Sequence, residues 1–103
     1  MPTFFCTFTW TESGIRNIKQ TPLRRKSARQ HAKLLNITIK AIYLTWGESD
    51  LLYILEAPDD ESVAKFAILI AKSGNVRTRT TRAYTEKEFD KLLNELADKL
   101  EPT

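Results

Sequence analysis

Two arginines stand close together in a segment that otherwise has the composition of a β-strand. The segment Val76 to Tyr84 is rich in threonine, and strand alternation places Arg77 and Arg79 on one face and Arg82 on the other. A guanidinium group can bind a carboxylate or a phosphate through two parallel hydrogen bonds. The pair indicates either an anion-binding site or a charged edge strand, neutralised by acidic side chains such as Glu56, Asp50 or Glu48.

The other candidates for chemistry are single residues with weaker patterns. Glu48 and Asp50 could form a carboxylate pair, but their position in a four-residue turn favours a role in turn formation. His31 is interpreted as a surface or boundary residue of a helix, with no nucleophile at an identifiable spacing. Cys6, among phenylalanines in a strand, is predicted to be a buried, unreactive thiol. One Cys, one His and the lack of a glycine-rich phosphate loop predict neither a metal site nor a cofactor.

The elements that must position these residues follow one another in the order β-α-β-β-α-β, with an additional helix at the C-terminus. Strands are predicted from alternation, and helices from apolar spacing and capping residues such as Asn36. The predicted strands are Thr3 to Trp10, Ile37 to Trp46, Leu51 to Ala57 and Val76 to Tyr84, and the predicted helices are Pro22 to Leu35 and Glu61 to Ser73. The last helix is predicted from a capping box at Thr85 to Glu88 and from the helical stripe Phe89, Leu92, Leu93, Leu96 and Leu100. This order predicts an α+β, ferredoxin-like fold with a four-stranded antiparallel sheet.

The predicted sheet has a second apolar face that its two helices cannot cover. We place Lys40 and Glu56 away from the helices, and simple alternation then puts on the same open face the side chains of Phe5, Ile42, Leu44, Trp46, Leu52 and Ile54. A monomer rarely exposes an apolar patch of this content. We therefore predict a homodimer or a higher homo-oligomer, with the sheets of two subunits face to face. The alternative is that the last helix folds back over the sheet of its own chain.

Length and composition limit the remaining possibilities. The 103 residues, 42% hydrophobic and 28% charged, predict a single globular domain over residues 1–103. The first fifteen residues lack Lys and Arg, and the longest apolar run, Phe66 to Ala71, is far shorter than the roughly 20 residues that cross a bilayer. These features predict a cytoplasmic protein without a membrane association. Eight bases and no acid between Ser13 and Gly47, and six acids and no base between Glu48 and Glu61, favour complementary protein surfaces over nucleic acid as a partner.

Several segments together carry a resemblance to a known family. The segments are Trp10-Thr11-Glu12-Ser13-Gly14-Ile15, Ala57-Pro58-Asp59-Asp60, Gly74-Asn75-Val76-Arg77-Thr78 and Arg82-Ala83-Tyr84-Thr85. Through them nearly the whole chain resembles the GYD-domain family of small bacterial and archaeal proteins. The name-giving Gly-x-Tyr-Asp corresponds to Gly47-Glu48-Ser49-Asp50, in which Ser49 replaces the tyrosine. The resemblance implies a ferredoxin-like fold of the dimeric α/β-barrel type, and it implies no established reaction.

A further similarity connects the chain to the effector-binding domain of leucine-responsive transcription regulators. The similar segments are Gly47 to Leu52 and Gly74 to Thr80. In those regulators a small molecule such as an amino acid binds at a subunit interface near the Gly…Asp turn. The similarity implies a ligand pocket at an interface, and the side chains and turn residues expected to form it are Trp10, Trp46, Gly47, Asp50, Arg77 and Arg79.

Three functions are compatible with these observations. The best prediction is a non-enzymatic, homo-oligomeric module that binds a small molecule such as an amino acid or an organic acid. The first alternative is a cofactor-independent enzyme of the dimeric-barrel type that acts on a small aromatic or carbonyl compound, which requires an acid or base inside an enclosed apolar cavity. The second alternative is a structural or interaction protein without a ligand.

Overall fold

A four-stranded antiparallel sheet organises the computed structural model, which describes residues 1–99. The elements in chain order are β1 (Thr3–Trp10), α1 (Glu12–Arg16), α2 (Thr21–Leu34), β2 (Thr38–Leu44), β3 (Leu51–Glu56), α3 (Asp60–Ala71), β4 (Val76–Ala83) and α4 (Glu86–Glu95), with 3-10 turns at Ile18–Gln20 and Ala97–Lys99. The α+β, ferredoxin-like class is confirmed. The elements end within one or two residues of the predicted positions, and Leu100 of the predicted helical stripe lies outside the described residues.

The strand order across the sheet is β2-β3-β1-β4, and every neighbouring pair is antiparallel. β1 therefore lies inside the sheet, paired with β3 on one side and β4 on the other. Directly opposite residues share a face, so Cys6 stands beside Tyr53 and Thr80, while Thr7 stands beside Leu52 and Arg79 on the other face. The alternation of buried and exposed positions along β1 follows this arrangement.

The helices α2 and α3 cover one face of the sheet, which we call the closed face. The core beneath them consists of Phe4, Cys6 and Phe8 from β1, Tyr53 and Leu55 from β3, and residues of the helices and loops, namely Ala28, Ala32, Ile37, Ala57, Val63 and Phe66. The small side chains of Ala28 and Ala32 let α2 approach the strands closely. Phe66 and Leu55 are fully buried, which makes this face the main source of hydrophobic stabilisation.

A β-bulge in β2 reverses part of the predicted face assignment. Ile39 is opposite Leu55, but Ala41 is opposite Ile54, so Lys40 is an extra residue in the ladder. Beyond the bulge, the side chains that simple alternation assigned to the open face, Ile42 and Leu44, share the closed-face side of Tyr53 and Leu51. The prediction that these two residues belong to the open face was wrong.

Because of the bulge, the residues on the uncovered side of the sheet, which we call the open face, differ from those predicted. Its apolar residues are Phe5, Ala41, Tyr43, Leu52 and Ile54, and Arg77 and Arg79 lie along its β4 side. Phe5 is 38% exposed and Tyr43 is 54% exposed. Of the predicted open-face residues Phe5, Leu52 and Ile54 keep their place, whereas Trp46 lies beyond the end of β2 and is fully exposed.

The C-terminal helix α4 does not fold back over the sheet of its own chain. It contains no buried residue, and its apolar side chains Phe89, Leu92, Leu93 and Leu96 are between 41% and 55% exposed. The radius of gyration of 16.5 Å exceeds the roughly 13 Å of a compact 100-residue domain. No element within residues 1–99 therefore covers the open face. None of the helices within residues 1–99 is long and apolar enough to span a membrane.

Candidate functional site

A cavity of about 120 Å³ lies on the closed face, between α2, the end of α3 and the strands. Its apolar wall is formed by Phe8, Trp10, Leu51, Leu69, Ile70 and Val76, and its polar wall includes Thr21, Arg24, Arg25, Ser27, His31, Tyr53, Ser73 and Asn75. For scale, an apolar protein cavity of about 150 Å³ holds a benzene molecule. The space is thus suited to a small ligand with an apolar part.

The cavity is positively charged. Arg24 and Arg25 line it, and none of the lining residues within the described part of the chain is acidic. Arg24 donates one hydrogen bond from Nη2 to the backbone oxygen of Asn17 at 2.7 Å. Its Nε and Nη1 atoms are buried and have no hydrogen-bond acceptor among the described residues. Because a buried polar group without a partner costs free energy, an anionic ligand would be bound favourably here.

Further polar groups surround the same space. Ser27 Oγ and His31 Nε2 lie 3.3 Å apart on consecutive turns of α2. The Tyr53 ring packs edge-on against Phe8, with 4.8 Å between the ring centroids. Burial raises the pKa of the Tyr53 phenol, and the charges of Arg25 and Arg29 partly oppose this effect. The phenol therefore stays protonated at neutral pH and can donate a hydrogen bond.

The polar groups that line the cavity do not include a Ser-His-carboxylate triad within residues 1–99. The sequence prediction found no partner for His31, but Ser27 stands four residues before it and contacts it. A serine nucleophile also needs a histidine that a third group orients. No carboxylate lines the cavity within residues 1–99, and no cluster of three potential metal ligands occurs there.

Two of the segments that carry the family resemblance contact each other at the cavity wall. Thr11 donates from its backbone N–H to the Asn75 oxygen at 3.0 Å and from Oγ1 to the Gly74 oxygen at 2.6 Å. Ser13 Oγ lies 3.2 Å from Asn75 Oδ1. A Cβ atom at Gly14 would stand 2.0 Å from the Asn75 backbone oxygen, so only glycine fits there. These contacts fix Trp10 and Asn75, which both line the cavity.

The predicted site residues divide between the two faces of the sheet. Trp10 lies opposite Val76 and lines the closed-face cavity, whereas Arg77 and Arg79 point to the open face. Glu56, predicted as a partner of the arginines, pairs instead with Lys40 at 3.6 Å. Neither arginine takes part in an ion pair among the described residues. One chain therefore does not bring Trp10 together with the two arginines.

The predicted turn residues hold the hairpin against β1. Asp50 Oδ2 accepts a hydrogen bond from the backbone N–H of Trp10 at 2.9 Å, and the Asp50 N–H donates to the Phe8 oxygen at 2.9 Å. Thr45 Oγ1 donates to the Ser49 oxygen at 2.6 Å, inside the turn. Gly47 and Trp46 are exposed beside it. Asp50 thus positions Trp10 without itself lining the cavity.

Sequence inspection missed the cavity because its residues come from five separate segments. Arg24, Ser27 and His31 share one side of α2 at helical spacing, and this is the signal that could have identified them. The long run of bases between Ser13 and Gly47 concealed it, since a surface helix with many bases gives the same pattern.

The fold and the cavity define a small ferredoxin-like protein with a ligand-sized space under its helices. The chain belongs to the GYD domain family, whose model matches residues 4–93. It is 31% identical over 84 residues to a Thermus thermophilus protein named "glutamine synthetase and cystathionine beta-lyase binding protein", a match that covers 81% of this chain and 88% of that relative.

Two solved structures from Mycobacterium tuberculosis are similar in fold. One is a feast or famine regulatory protein in complex with L-methionine, with a TM-score of 0.61, 16% identity, and coverage of 84% of this chain and 55% of that one. The other is a leucine response regulatory protein, with a TM-score of 0.53, 17% identity, and coverage of 82% and 51%. The chain thus spans about half the length of these regulators, and the likeness supports the fold.

Proposed function

We propose that this protein is a small-molecule-binding module whose ligand is a small organic acid with an apolar tail, held in the closed-face cavity. The observation that carries the proposal is Arg24, whose Nε and Nη1 are buried beside the cavity without an acceptor among the described residues. A carboxylate would accept hydrogen bonds from these atoms. Its tail would contact the apolar wall around Trp10 and Ile70.

The charge of the lining favours a plain carboxylate over an amino acid. An α-ammonium group is best held by carboxylates, and none lines the cavity within the described residues. It would also lie close to the positive charges of Arg24 and Arg25, which repel it. The methionine bound to a protein of similar fold carries such a carboxylate, which supports the proposal of a small carboxylate ligand.

The two tryptophans allow a direct binding measurement. Trp10 lines the cavity and Trp46 is fully exposed, so Trp46→Phe leaves Trp10 as the single tryptophan reporter. We expect 4-methylpentanoate to change the fluorescence of this variant saturably, and leucine, the amino acid with the same tail, to bind at least tenfold more weakly. The thermal unfolding temperature should rise with the acid as well.

Two arginine variants locate the site. Arg24→Gln should abolish the fluorescence change, with little loss of thermal stability because the guanidinium makes one hydrogen bond to Asn17. Arg79→Gln, the same substitution on the open face, is the matched control and should bind normally. Loss of binding in Arg79→Gln alone would place the ligand on the open face, and no response to either class of ligand would contradict the proposal.

A second candidate function is binding to an enzyme of amino-acid metabolism. It is supported by the name of the Thermus relative and by the exposed bases Lys26, Arg29 and Lys33 on α2. We expect complex formation with purified glutamine synthetase or cystathionine β-lyase in size-exclusion chromatography. Lys26→Glu with Lys33→Glu should abolish the complex and leave the ligand response of Trp10 intact. Elution of both enzymes apart from the unmodified protein would contradict this function.

A further inference from the structure

Arg24 lies on the side of the closed-face cavity that is nearest to α1. Its Nη2 donates to the backbone oxygen of Asn17, the residue that caps the end of α1, at 2.7 Å. The start of α1 is in turn held against Asn75, just before β4, by the hydrogen bonds of Thr11 and Ser13. These contacts fix one of the polar groups of the cavity at the α1 side.

Tyr53 contributes a polar group at a different side of the same cavity. Tyr53 belongs to β3 and Val76 to β4, and β1 lies between these two strands. Since neighbouring strands are about 4.8 Å apart, the cavity floor extends roughly 10 Å across the sheet. Burial raises the pKa of the Tyr53 phenol, and Arg25 and Arg29 are the cations that oppose this effect. Arg24 is not among them, so its guanidinium lies farther from the phenol than they do.

Most other hydroxyl groups of the cavity wall already have partners. Thr21 Oγ1 and Ser73 Oγ each donate to the backbone oxygen three residues before them, at 2.5 Å and 3.0 Å. Ser27 Oγ and His31 Nε2 lie 3.3 Å from each other. The Tyr53 hydroxyl, by contrast, has no hydrogen-bond partner among the described residues, although this side chain is only 5% exposed. The cavity therefore offers two separate unpaired donors, the buried nitrogens of Arg24 and the hydroxyl of Tyr53.

A ligand with a plain alkyl tail would satisfy only one of these donors. Its carboxylate would accept from Arg24, but its tail would exclude water from the Tyr53 hydroxyl and leave that donor without a partner, which costs free energy. An oxygen acceptor on the tail removes this cost. The positive charges of Arg25 and Arg29 near the phenol also favour an electron-rich oxygen at this position.

We propose that the ligand is a short 4-oxo acid, whose carboxylate binds Arg24 and whose chain carbonyl accepts a hydrogen bond from the Tyr53 hydroxyl, an assignment that rests on the proposed function. The volume of about 120 Å³ limits the chain to a few carbon atoms. The carbonyl stands away from the carboxylate because the two donors lie at different sides of the cavity. The methylene groups between them contact the apolar wall at Phe8 and Ile70.

Two acids of nearly the same shape isolate the second acceptor. 4-Oxopentanoate has a carbonyl oxygen where 4-methylpentanoate has a methyl group. With Trp10 as the fluorescent reporter in Trp46→Phe, we expect 4-oxopentanoate to bind at least about threefold more tightly, because its oxygen meets a donor. Binding of 4-methylpentanoate with equal or higher affinity would overturn the 4-oxo acid and leave the proposed function intact. Failure of both acids to bind would contradict the proposed function itself.

Tyr53→Phe removes the hydroxyl and keeps the ring. We expect it to weaken 4-oxopentanoate binding at least about tenfold and to change 4-methylpentanoate binding by less than about twofold. The thermal unfolding temperature should stay close to that of the parent, since the hydroxyl has no partner in the protein to lose. Tyr43→Phe, the same substitution on the open face, is the matched control and should leave both affinities unchanged.

The ratio of the two affinities separates ligand recognition from a change in the shape of the cavity. Both acids are measured on the same variant, so a general loosening of the cavity in Tyr53→Phe weakens both and cancels in the ratio. Equal losses for the two acids would therefore show that the hydroxyl does not bind the carbonyl, and would overturn the proposal.

The position of the carbonyl can be tested with 4-methyl-2-oxopentanoate, which carries it next to the carboxylate. We expect this acid to bind more weakly than 4-oxopentanoate and to change by less than about twofold in Tyr53→Phe, because its carbonyl lies on the Arg24 side. Tighter binding of the 2-oxo acid, with a loss in Tyr53→Phe, would place the carboxylate and the phenol together and contradict the separation of the two donors.

Discussion

The two faces of the sheet differ in whether helices of the chain cover them, although the same strands form both faces. On the closed face, Phe8 and Tyr53 lie under two helices that complete a core and leave a small charged cavity. On the open face, Phe5 and Ile54 are apolar as well, but no element in the described part of the chain covers them. The difference shows that apolar content alone does not define a core. An apolar sheet face forms a core only where a helix of the chain packs against it.

The helices α3 and α4 repeat this contrast. Both begin with a side-chain cap, Asp59 Oδ1 accepting from the Ser62 N–H at 2.8 Å in α3 and Thr85 with Glu88 in α4. Val63 and Phe66 bury α3 in the core, whereas α4 contains no buried residue. Local capping therefore determines where a helix starts, and tertiary packing determines whether it contributes to the core.

The largest expected effect is on the free energy of unfolding, which a substitution on the closed face should lower more than one on the open face. Phe66→Ala removes a fully buried ring from the closed face and should lower the free energy of unfolding by about 4 kcal/mol. Ile54→Ala, on the half-exposed open face, should lower it by only about 1 kcal/mol at low protein concentration. Urea unfolding followed by circular dichroism measures both. Equal losses would remove the distinction between the faces.

A smaller effect is expected where the two family segments meet beside the cavity. Gly14→Ala forces a Cβ atom against the Asn75 backbone oxygen. Because the backbone there must shift, the free energy of unfolding should fall by about 2 kcal/mol. The same shift moves a residue of the cavity wall, so the affinity for the organic acid should fall. Gly47→Ala is the matched control, since a Cβ atom there meets nothing within 4 Å. A Gly14→Ala protein as stable as the parent contradicts the close contact.

The smallest expected effect is on the pH dependence of stability, in which the caps of α3 and α4 should differ. Hydrogen bonds from the Ser62 backbone and side chain hold the pKa of Asp59 below its ordinary value. A lowered folded-state pKa means that the stabilisation is present above the ordinary carboxyl pKa and is lost as pH falls through the folded pKa. Asp59→Asn keeps a capping side chain that does not titrate. Between pH 6 and pH 3, the thermal unfolding temperature should therefore fall less steeply in Asp59→Asn than in the parent protein.

The matching cap in α4 is the control for this measurement. Glu88 also has a lowered pKa, chiefly because it accepts a hydrogen bond from the Thr85 backbone N–H. Since α4 has no buried residue, Glu88→Gln should alter the pH dependence of helix content but not that of the core unfolding. A steeper decline in Asp59→Asn than in the parent would contradict the role of the Asp59 carboxylate.

Much of the fold followed from local patterns, and the errors have specific physical causes. Alternation gave β1 and β4 their correct faces, and the capping box gave α4 its correct start. The assignment of Ile42 and Leu44 failed because the extra residue Lys40 in β2 inverts the alternation. A bulge has no reliable local signature here, since it depends on how β2 pairs with β3.

The candidate site was less predictable than the fold. Trp10, one of the predicted site residues, lines a cavity on the face opposite to Arg77 and Arg79. Arg24 was passed over because a helix with many bases normally presents them to solvent. Only the packing of α2 against the strands shows that two of its guanidinium nitrogens are buried beside a cavity.

The order of strands and helices and the helix starts were determined by the sequence alone, because each depends on a few neighbouring residues. The tertiary structure decided the register of β2, the close contact of Gly14 with Asn75, the burial of Arg24 and the position of the cavity. These features depend on contacts between segments distant in the chain, and no local pattern contains the free energy of those contacts.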